Sequence, residues 1–181
     1  MRAVFIVNDP KIAKILIDPM RRAILELLRE KPMTQTQLAI ELGLTVASLN
    51  YHIRLLKSHR LVSIVKRKVG EHGIVEIFFS SSAYLYVYDL KALPQEISRY
   101  FYPIALERIR AALSVLTFMT KSYDFDENAE KISFYSNTLS DYIVESSLPY
   151  AKKEIQFGKE NITLEIYKKA IMRMVKSFKQ G

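Results

Sequence analysis

Two helix-start signals with one glycine between them constrain the fold of this chain most closely. Thr34 and Thr45 each precede a run with helical spacing of apolar residues, and threonine is a good N-terminal cap. The spacing predicts helices over 35–42 and 46–58. Gly43 suits the left-handed conformation that ends many helices, so the connection between the two is short. Two helices joined by such a turn are the helix-turn-helix signature.

Further elements are predicted on both sides of this turn. Asp18-Pro19 is a strong start signal, because aspartate caps helices and proline suits their first position. That helix should reach about Glu30. After the second helix, β-branched alternation around a turn at 70–73 predicts a hairpin. The remaining predictions are strands at Leu61–Val69 and Ile74–Phe79, a break at Ser80–Ser82, a strand with Tyr84, Tyr86 and Tyr88 on one face, a short strand or extended arm at Val4–Val7, and one or two helical turns within Lys11–Ile17.

The second half of the chain is predicted to be helical. A long helix over 95–121 carries a broad apolar stripe and should kink at Pro103. Another helix is predicted within 128–146, and an amphipathic helix over 162–178 has apolar residues at spacings of three and four. The fold class is therefore mainly α with a small β-hairpin.

We expect two domains with a boundary near Asp89–Leu93. Residues 1–90 would form a winged helix-turn-helix domain, and residues 91–181 a helical domain. The apolar stripes of the second half are wider than a 90-residue winged domain can cover, which predicts dimerisation. Every tyrosine except Tyr51 lies after residue 83. These aromatic residues favour core and dimer interface, with a pocket for an effector between the two domains as the alternative.

The charge distribution indicates a nucleic-acid partner. The chain has a net charge of +8, and no acidic residue lies between Glu41 and Glu71. A cationic helix beside a cationic hairpin suits a phosphate backbone, whose neutralisation supplies most non-specific DNA affinity. The basic residues of this stretch are Arg54, Lys57, Arg60, Lys66, Arg67 and Lys68. Double-stranded DNA is the expected partner.

Five short runs of this chain match a known family: Asp18–Leu28, Thr36–Ala39, Leu42–Leu44, Ser48–Leu56 and Leu61-Val62. With these runs the chain resembles the ArsR-type winged-helix regulators, specifically the longer archaeal proteins with a helical C-terminal extension. The resemblance covers about residues 11–80 and implies a homodimeric transcriptional repressor that reads a palindromic operator. At the position where the family usually has glycine, this chain has Arg60, which adds charge and is expected to strain the turn.

The second helix of the motif is the predicted recognition helix. Its outward face should enter the major groove, where Asn50 can pair with adenine and Arg54 with guanine or a phosphate. Tyr51 could reach a phosphate or a thymine methyl group. His52 lies on the inward side and is expected to pack or to form a hydrogen bond rather than to bind a ligand. The predicted contacts from this region are Thr45, Val46, Ala47, Ser48, Asn50, Tyr51, Arg54 and Lys57.

The hairpin, or wing, is predicted to contact the DNA backbone or the minor groove. Its basic residues are Lys66, Arg67 and Lys68, with His72 in the turn. Because side chains alternate along a strand, Arg67 should face away from the two lysines. The three cannot all face DNA.

The chain has few of the residues that metal sensing or catalysis would require. Many relatives of the ArsR type sense metals through cysteine clusters or paired Asp/His sites. This chain has no cysteine, so disulfides and thiolate sites are excluded, and a metal sensor is not expected. A hard-ion site at Asp124, Asp126 and Glu127 is conceivable but lacks EF-hand spacing. No phosphate loop or nucleophile elbow is present, so we expect neither an enzyme nor a cofactor.

No apolar run reaches the ~18–20 residues that span a bilayer, and a cytoplasmic protein is expected. The expected function is sequence-specific repression of transcription by a homodimer. Its alternatives are a low-specificity architectural DNA-binding protein and a winged-helix module that binds another protein. RNA binding is disfavoured, because a helix cannot read the narrow major groove of A-form RNA. The sequence leaves open which effector, if any, controls the protein.

Overall fold

The structure, a computed structural model, describes residues 1–69, 73–120, 128–156 and 161–179. It is mainly helical with a small antiparallel β-hairpin, as the sequence predicts. Two sheets of two strands form, β1 with β4 and β2 with β3. The elements are β1 (Arg2–Val7), α1 (Pro10–Leu16), α2 (Pro19–Glu30), α3 (Gln35–Leu42), α4 (Val46–Ser58), β2 (Val62–Val69), β3 (Val75–Ser81), β4 (Ala83–Tyr88), α5 (Gln95–Ser98), α6 (Tyr102–Thr120), α7 (Ala129–Ser147), a 3₁₀ turn (Leu148–Tyr150) and α8 (Ile162–Lys179).

The predicted caps of the first three long helices are present as hydrogen bonds. Asp18 accepts from the Met20 amide at 2.8 Å. Thr34 and Gln37 form the reciprocal capping box, in which each side chain accepts from the other residue's backbone amide. Thr45 caps α4 in the same way as Asp18 caps α2. These local bonds fix where each helix begins.

The turn between α3 and α4 is closed by Gly43. Its φ of 63° lies in the left-handed region, as predicted for a glycine that ends a helix. The Leu44 amide then donates to the Ala39 carbonyl at 2.9 Å, which satisfies a carbonyl of the last turn. Behind the turn, the helices pack through fully or almost fully buried side chains: Ile24, Leu28, Leu38, Leu49, Ile53 and Leu56.

The hairpin pairs β2 with β3 in antiparallel register, from Val62 opposite Ser81 to Val69 opposite Val75. The register shifts between Ile64 and Lys66, so β2 carries one extra residue at this bulge. Met33 exchanges two backbone hydrogen bonds with Phe79, at 3.0 and 2.8 Å. The hairpin is thereby attached to the start of α3.

The predicted break at Ser80–Ser82 is wrong for its first two residues. Ser80 and Ser81 belong to β3 and are 2% and 1% exposed. Burial is tolerated because the Ser81 hydroxyl donates to the Ala83 carbonyl at 2.7 Å and lies 3.1 Å from the Tyr86 hydroxyl. Serine clusters usually mark loops, but here their hydroxyls are satisfied inside the fold.

The predicted long helix over 95–121 is also wrong in its first part. Within the described residues, α5 ends at Ser98 and α6 begins at Tyr102. Phe101, between them, is 1% exposed and stacks on Tyr88 with ring centroids 4.1 Å apart. Pro103 therefore lies in the first turn of α6, where its missing N–H costs nothing, instead of kinking a continuous helix.

The last two long helices match their predictions and pack on each other. Asn128 caps α7 by accepting from the Glu130 amide at 2.9 Å. The Tyr150 hydroxyl, just after α7, donates to Glu165 on α8 at 2.6 Å. The buried faces consist of Ile132, Leu139 and Ile143 on α7 and of Ile162, Ile166, Ala170 and Met174 on α8.

The chain divides into two compact units, and neither is one continuous stretch. The first unit ties its N-terminal strand to a later segment, because Ala3 donates to the Lys153 carbonyl at 2.7 Å and Ile155 donates to the Met1 carbonyl at 2.9 Å. The first unit consists of Met1–Phe5, Lys14–Tyr86 and Ala151–Glu160, and the second of Ile6–Ala13, Val87–Tyr150 and Asn161–Gly181. In the part of the chain that is described, no helix is both long and apolar enough to cross a membrane.

Candidate nucleic-acid interface

Helix α4 has one buried and one exposed face. Leu49, Ile53 and Leu56 are buried, which turns the intervening positions outward. The outward face borders an open groove of about 580 Å³. Its lining residues are Ala47, Asn50, Tyr51, Arg54, Leu55 and Ser58. Three of the residues predicted from the sequence to contact DNA by their side chains, Asn50, Tyr51 and Arg54, therefore lie together on this groove.

The start of α4 is suited to binding an anion. Thr45, Val46 and Ser48 are all exposed, and the first turn carries no acidic residue. The first amides of a helix carry partial positive charge and point out of its N-terminal end. Lys57, also exposed, lies in the last turn of the same helix. The residues predicted to contact DNA at the two ends of α4 are therefore accessible to solvent.

Asn50 has a partner that sequence reasoning missed. Gln35, the first residue of α3, donates from its side-chain nitrogen to the Asn50 side-chain oxygen at 3.1 Å. The two residues are 15 positions apart, and Asn50 is exposed whereas Gln35 is half-buried. No periodicity signals such a pair, since the contact depends on how α3 crosses α4.

The wing separates its basic residues between two faces, as strand alternation predicts. Lys66 lies opposite Phe78 and Lys68 opposite Glu76, while Arg67 lies opposite Ile77. All three cations are exposed. Opposed residues of an antiparallel pair share a face. The face of the two lysines therefore also holds the carboxylate of Glu76, whereas Arg67 has an apolar neighbour.

Lys66 also stacks over the Phe78 ring, with its ammonium 5.6 Å from the ring centroid. This contact holds a flexible lysine side chain against the hairpin. His72, predicted to contact DNA from the wing turn, lies outside the described residues.

Arg60 connects the recognition helix to the wing in a strained conformation. Its φ is 57°, in the left-handed region that favours glycine. The predicted strain at this position is therefore present. The side chain is exposed and adds a positive charge between α4 and β2.

Behind the recognition helix, His52 packs rather than facing the groove. Its Nδ1 lies 3.9 Å from the Asp18 carboxylate, and its ring meets the Tyr51 ring edge-on at 5.5 Å. Arg21 approaches the same carboxylate at 3.4 Å. Asp18 thus caps α2 while facing two basic side chains.

Metal ligands do not gather in the described residues. No group of three His, Asp or Glu side chains in these ranges could hold an ion. The conceivable hard-ion site at Asp124, Asp126 and Glu127 lies outside the described residues.

Comparison with known proteins identifies one domain. A family model described as a helix-turn-helix domain matches residues 16–65. No curated protein matches the chain. The match runs from the end of α1 into β2, which is the first strand of the hairpin. These residues therefore form a helix-turn-helix domain, the DNA-binding module of many transcription regulators.

Two solved structures are similar to the chain at low identity. One is an apo-form mutant of ZitR from Lactococcus lactis, at 18% identity and a TM-score of 0.34, which covers 72% of this chain and 86% of its own. The other is PadR from Bacillus subtilis in complex with operator DNA, at 14% identity and a TM-score of 0.33, which covers 89% of this chain and 94% of its own. Both likenesses are weak over the whole chain.

Proposed function

We propose that this winged helix-turn-helix protein is a sequence-specific, double-stranded DNA-binding regulator that represses transcription as a homodimer, in the manner of the ArsR-type proteins that it resembles. One observation carries the proposal. The outward face of α4 is exposed and free of acidic residues, and it is continued by a basic wing. A helix of this kind fits the major groove, while the wing lies along the backbone or the minor groove.

Base recognition falls to the middle of α4. Asn50 can exchange two hydrogen bonds with adenine, and Arg54 can donate two to guanine or bind a phosphate. Both side chains line the same groove, one helical turn apart. Tyr51, 65% exposed, supplies a hydroxyl for a phosphate or a ring edge for a thymine methyl group.

Phosphate binding falls to the residues around this reading face. Thr45 and Ser48 can donate from their hydroxyls, and the amides of Val46 and Ala47 contribute the positive end of the helix. Lys57 follows at the other end of the helix. The wing adds Lys66, Arg67 and Lys68, with His72 as a further proposed contact. Such contacts fix the register on DNA but do not distinguish sequences.

We assign DNA binding to residues 1–90 and dimerisation to residues 91–181. Helices α6 and α8 border an apolar groove of about 570 Å³. On its rim Val115, Met119 and Met172 are 57%, 74% and 51% exposed. A contiguous apolar surface of this kind is unfavourable in water and is usually covered by a partner. A two-fold dimer would place two recognition helices about one DNA turn, ~34 Å, or a multiple apart.

A small-molecule effector, if one controls the protein, has a separate candidate site. Helices α7 and α8 border an open groove of about 710 Å³ that is rich in aromatic residues. Phe134, on its edge, is 61% exposed. The other aromatic lining residues are Tyr135, Tyr142 and Phe178. The chemistry of this groove favours a flat apolar molecule.

The test of the function is binding of the full-length protein to its own upstream DNA and to a scrambled duplex, followed by fluorescence anisotropy across a salt series. A specific regulator should prefer its own site by about 10³-fold or more and lose affinity steeply with salt. Arg54→Ala should reduce the preference, whereas Arg110→Ala, an equal loss of charge on α6, should not. Equal affinity for both duplexes would favour an architectural protein. Absence of binding at low salt would favour a protein partner.

A further inference from the structure

We propose that Gln35 is a positioning residue that holds the Asn50 amide in the orientation that reads adenine. The proposal rests on the DNA-binding function proposed above and deepens it. It assigns part of the sequence specificity to a residue of α3, outside the recognition helix. The contact that carries it is the 3.1 Å hydrogen bond from the Gln35 nitrogen to the Asn50 oxygen.

Both ends of this hydrogen bond are attached to well-fixed backbone. Gln35 lies between Thr34 and Gln37, the two residues of the capping box that sets the start of α3. Asn50 follows the fully buried Leu49 in α4. Elements held in this way position side chains more accurately than loops do. Among the described residues, no other hydrogen bond joins a side chain of α3 to a side chain of α4.

The hydrogen-bonding capacity of the pair matches the edge of adenine. An amide oxygen has two lone pairs, and Gln35 occupies one of those on Asn50. The second lone pair and both N–H groups of Asn50 stay available. Adenine presents N6–H₂ as donor and N7 as acceptor in the major groove. Asn50 can therefore accept from N6 and donate to N7 while it keeps its bond to Gln35.

The bond also limits an ambiguity that a free asparagine would have. The two ends of the side-chain amide have almost the same shape, so a free side chain can rotate and exchange oxygen for nitrogen. Only one of these orientations complements adenine. Gln35 presents its side-chain nitrogen to Asn50, and while this bond is made the Asn50 oxygen is held toward α3. Pre-organisation of this kind improves discrimination, because less side-chain freedom is lost on binding.

A purely structural role for the bond would have a different signature. The packing of α3 on α4 rests on Leu38, Leu49 and Ile53, which are all buried. An exposed hydrogen bond between neutral side chains adds little to that packing, because water can replace it. Loss of the bond should therefore change base preference far more than stability.

The first experiment selects DNA from a pool of duplexes with a randomised centre, using the full-length protein and its variants. The wild-type protein should select a motif containing an adenine whose enrichment Asn50→Ala abolishes. Gln35→Ala should reduce the preference for that adenine about 5- to 50-fold, within the range of a single good base contact. The double variant should lose no more than Asn50→Ala alone. Thermal unfolding and the salt slope of Gln35→Ala should stay at wild-type values.

The second experiment reverses the polarity of the bond. In Gln35→Glu the carboxylate can only accept, so it should attract the Asn50 nitrogen and turn the amide over. The adenine preference should then fall at least as far as in Gln35→Ala. Gln37→Glu is the matched control, since it adds the same charge to α3 and glutamate keeps the capping box. Its preference for adenine should be unchanged.

The outcomes separate this proposal from the proposed function. If the wild-type protein enriches no motif, the function as a sequence-specific regulator fails. The wild-type protein could instead enrich an adenine, with that enrichment lost in Asn50→Ala. If Gln35→Ala then keeps the full preference for this adenine, only the role of Gln35 fails. A large drop in unfolding temperature in Gln35→Ala would overturn the positioning role in favour of a structural one. Equal losses in Gln35→Glu and Gln37→Glu would attribute the effect to charge and overturn it as well.

Discussion

Arg60 has a positive φ of 57° although it is not a glycine. The left-handed conformation destabilises a residue that has a side chain by roughly 1–2 kcal/mol. Glycine avoids this strain, but it also loses more conformational entropy on folding, which offsets part of the gain. Arg60→Gly should therefore raise the free energy of unfolding by about 0.5–1 kcal/mol. Arg60→Ala removes the charge but keeps the strain, and should give no such gain. Urea unfolding of both variants measures the difference, and equal stability of the two would contradict strain at this position.

A second single-residue effect belongs to Tyr86. Burial raises the pKa of its hydroxyl above the ordinary value of 10.0, although hydrogen bonds with Ser81 and Ser82 act in the opposite direction. The folded protein therefore holds this proton more tightly than the unfolded chain. The protonated Tyr86 hydroxyl therefore makes its full contribution to the free energy of unfolding below pH 10. This contribution is lost as the pH rises through the raised pKa.

Tyr86→Phe should show both parts of this effect. Near neutral pH the variant should lose about 1–3 kcal/mol, because the hydroxyl no longer donates to the Leu61 carbonyl at 3.2 Å. Above pH 10 the gap between wild type and variant should narrow, since only the wild type must keep a buried phenol protonated. Tyr84→Phe, on the same strand, is the control. The readout is chemical unfolding from pH 7 to 11, and a constant gap would exclude the proposed titration.

At the scale of elements, the recognition helix and the wing should respond differently to mutation. Asn50→Ala or Arg54→Ala should cost roughly 1–3 kcal/mol on the cognate site and relax sequence preference. The physical reason is that base edges differ in their donors and acceptors, whereas phosphates do not. Anisotropy on single-base variants of the operator measures this. An equal loss on every sequence would show that neither residue reads bases.

The wing is expected to act through charge alone. Arg67→Ala should weaken binding to all DNA alike and reduce the salt slope by about one. Lys68→Ala should have a smaller effect, because Glu76 lies opposite it and already offsets part of its charge. If Lys68 contacts DNA, Glu76→Gln should then increase the affinity for DNA. If Arg67→Ala and Lys68→Ala both leave the salt slope unchanged, the wing does not touch DNA.

The sequence predicts the elements well where their signals are local. The caps at Asp18, Thr34 and Thr45 and the glycine turn each depend on residues within a few positions, and all are present. The continuity of the predicted helix between residues 98 and 102 and the predicted break at Ser80 and Ser81 were wrong, because both depend on which side chains are buried in the fold. The contact of Gln35 with Asn50 could not be foreseen for the same reason. DNA binding by the predicted contact residues is a prediction.

At the scale of the whole molecule, the proposed dimer would form through the apolar rim of α6 and α8. Val115→Glu places a charge on a surface that is exposed in the single chain, so the protomer should still fold. The dimer should dissociate, and affinity for a two-half-site operator should fall steeply, because two linked contacts become one. Leu148→Glu, at a residue that is 59% exposed outside these helices, is the control. Analytical ultracentrifugation decides: an unchanged mass for Val115→Glu would place the interface elsewhere.

The interleaving of the two units limits how this protein can be taken apart. Each unit is assembled from three segments, so the backbone passes from one to the other five times. No single cut releases either unit intact, and ending the chain near residue 90 would leave Ala3 without its hydrogen bond to Lys153. A gene fragment for the DNA-binding half alone is therefore a poor candidate for folding. For the same reason, replacing either unit with a foreign one would mean joining the chain at five places instead of one.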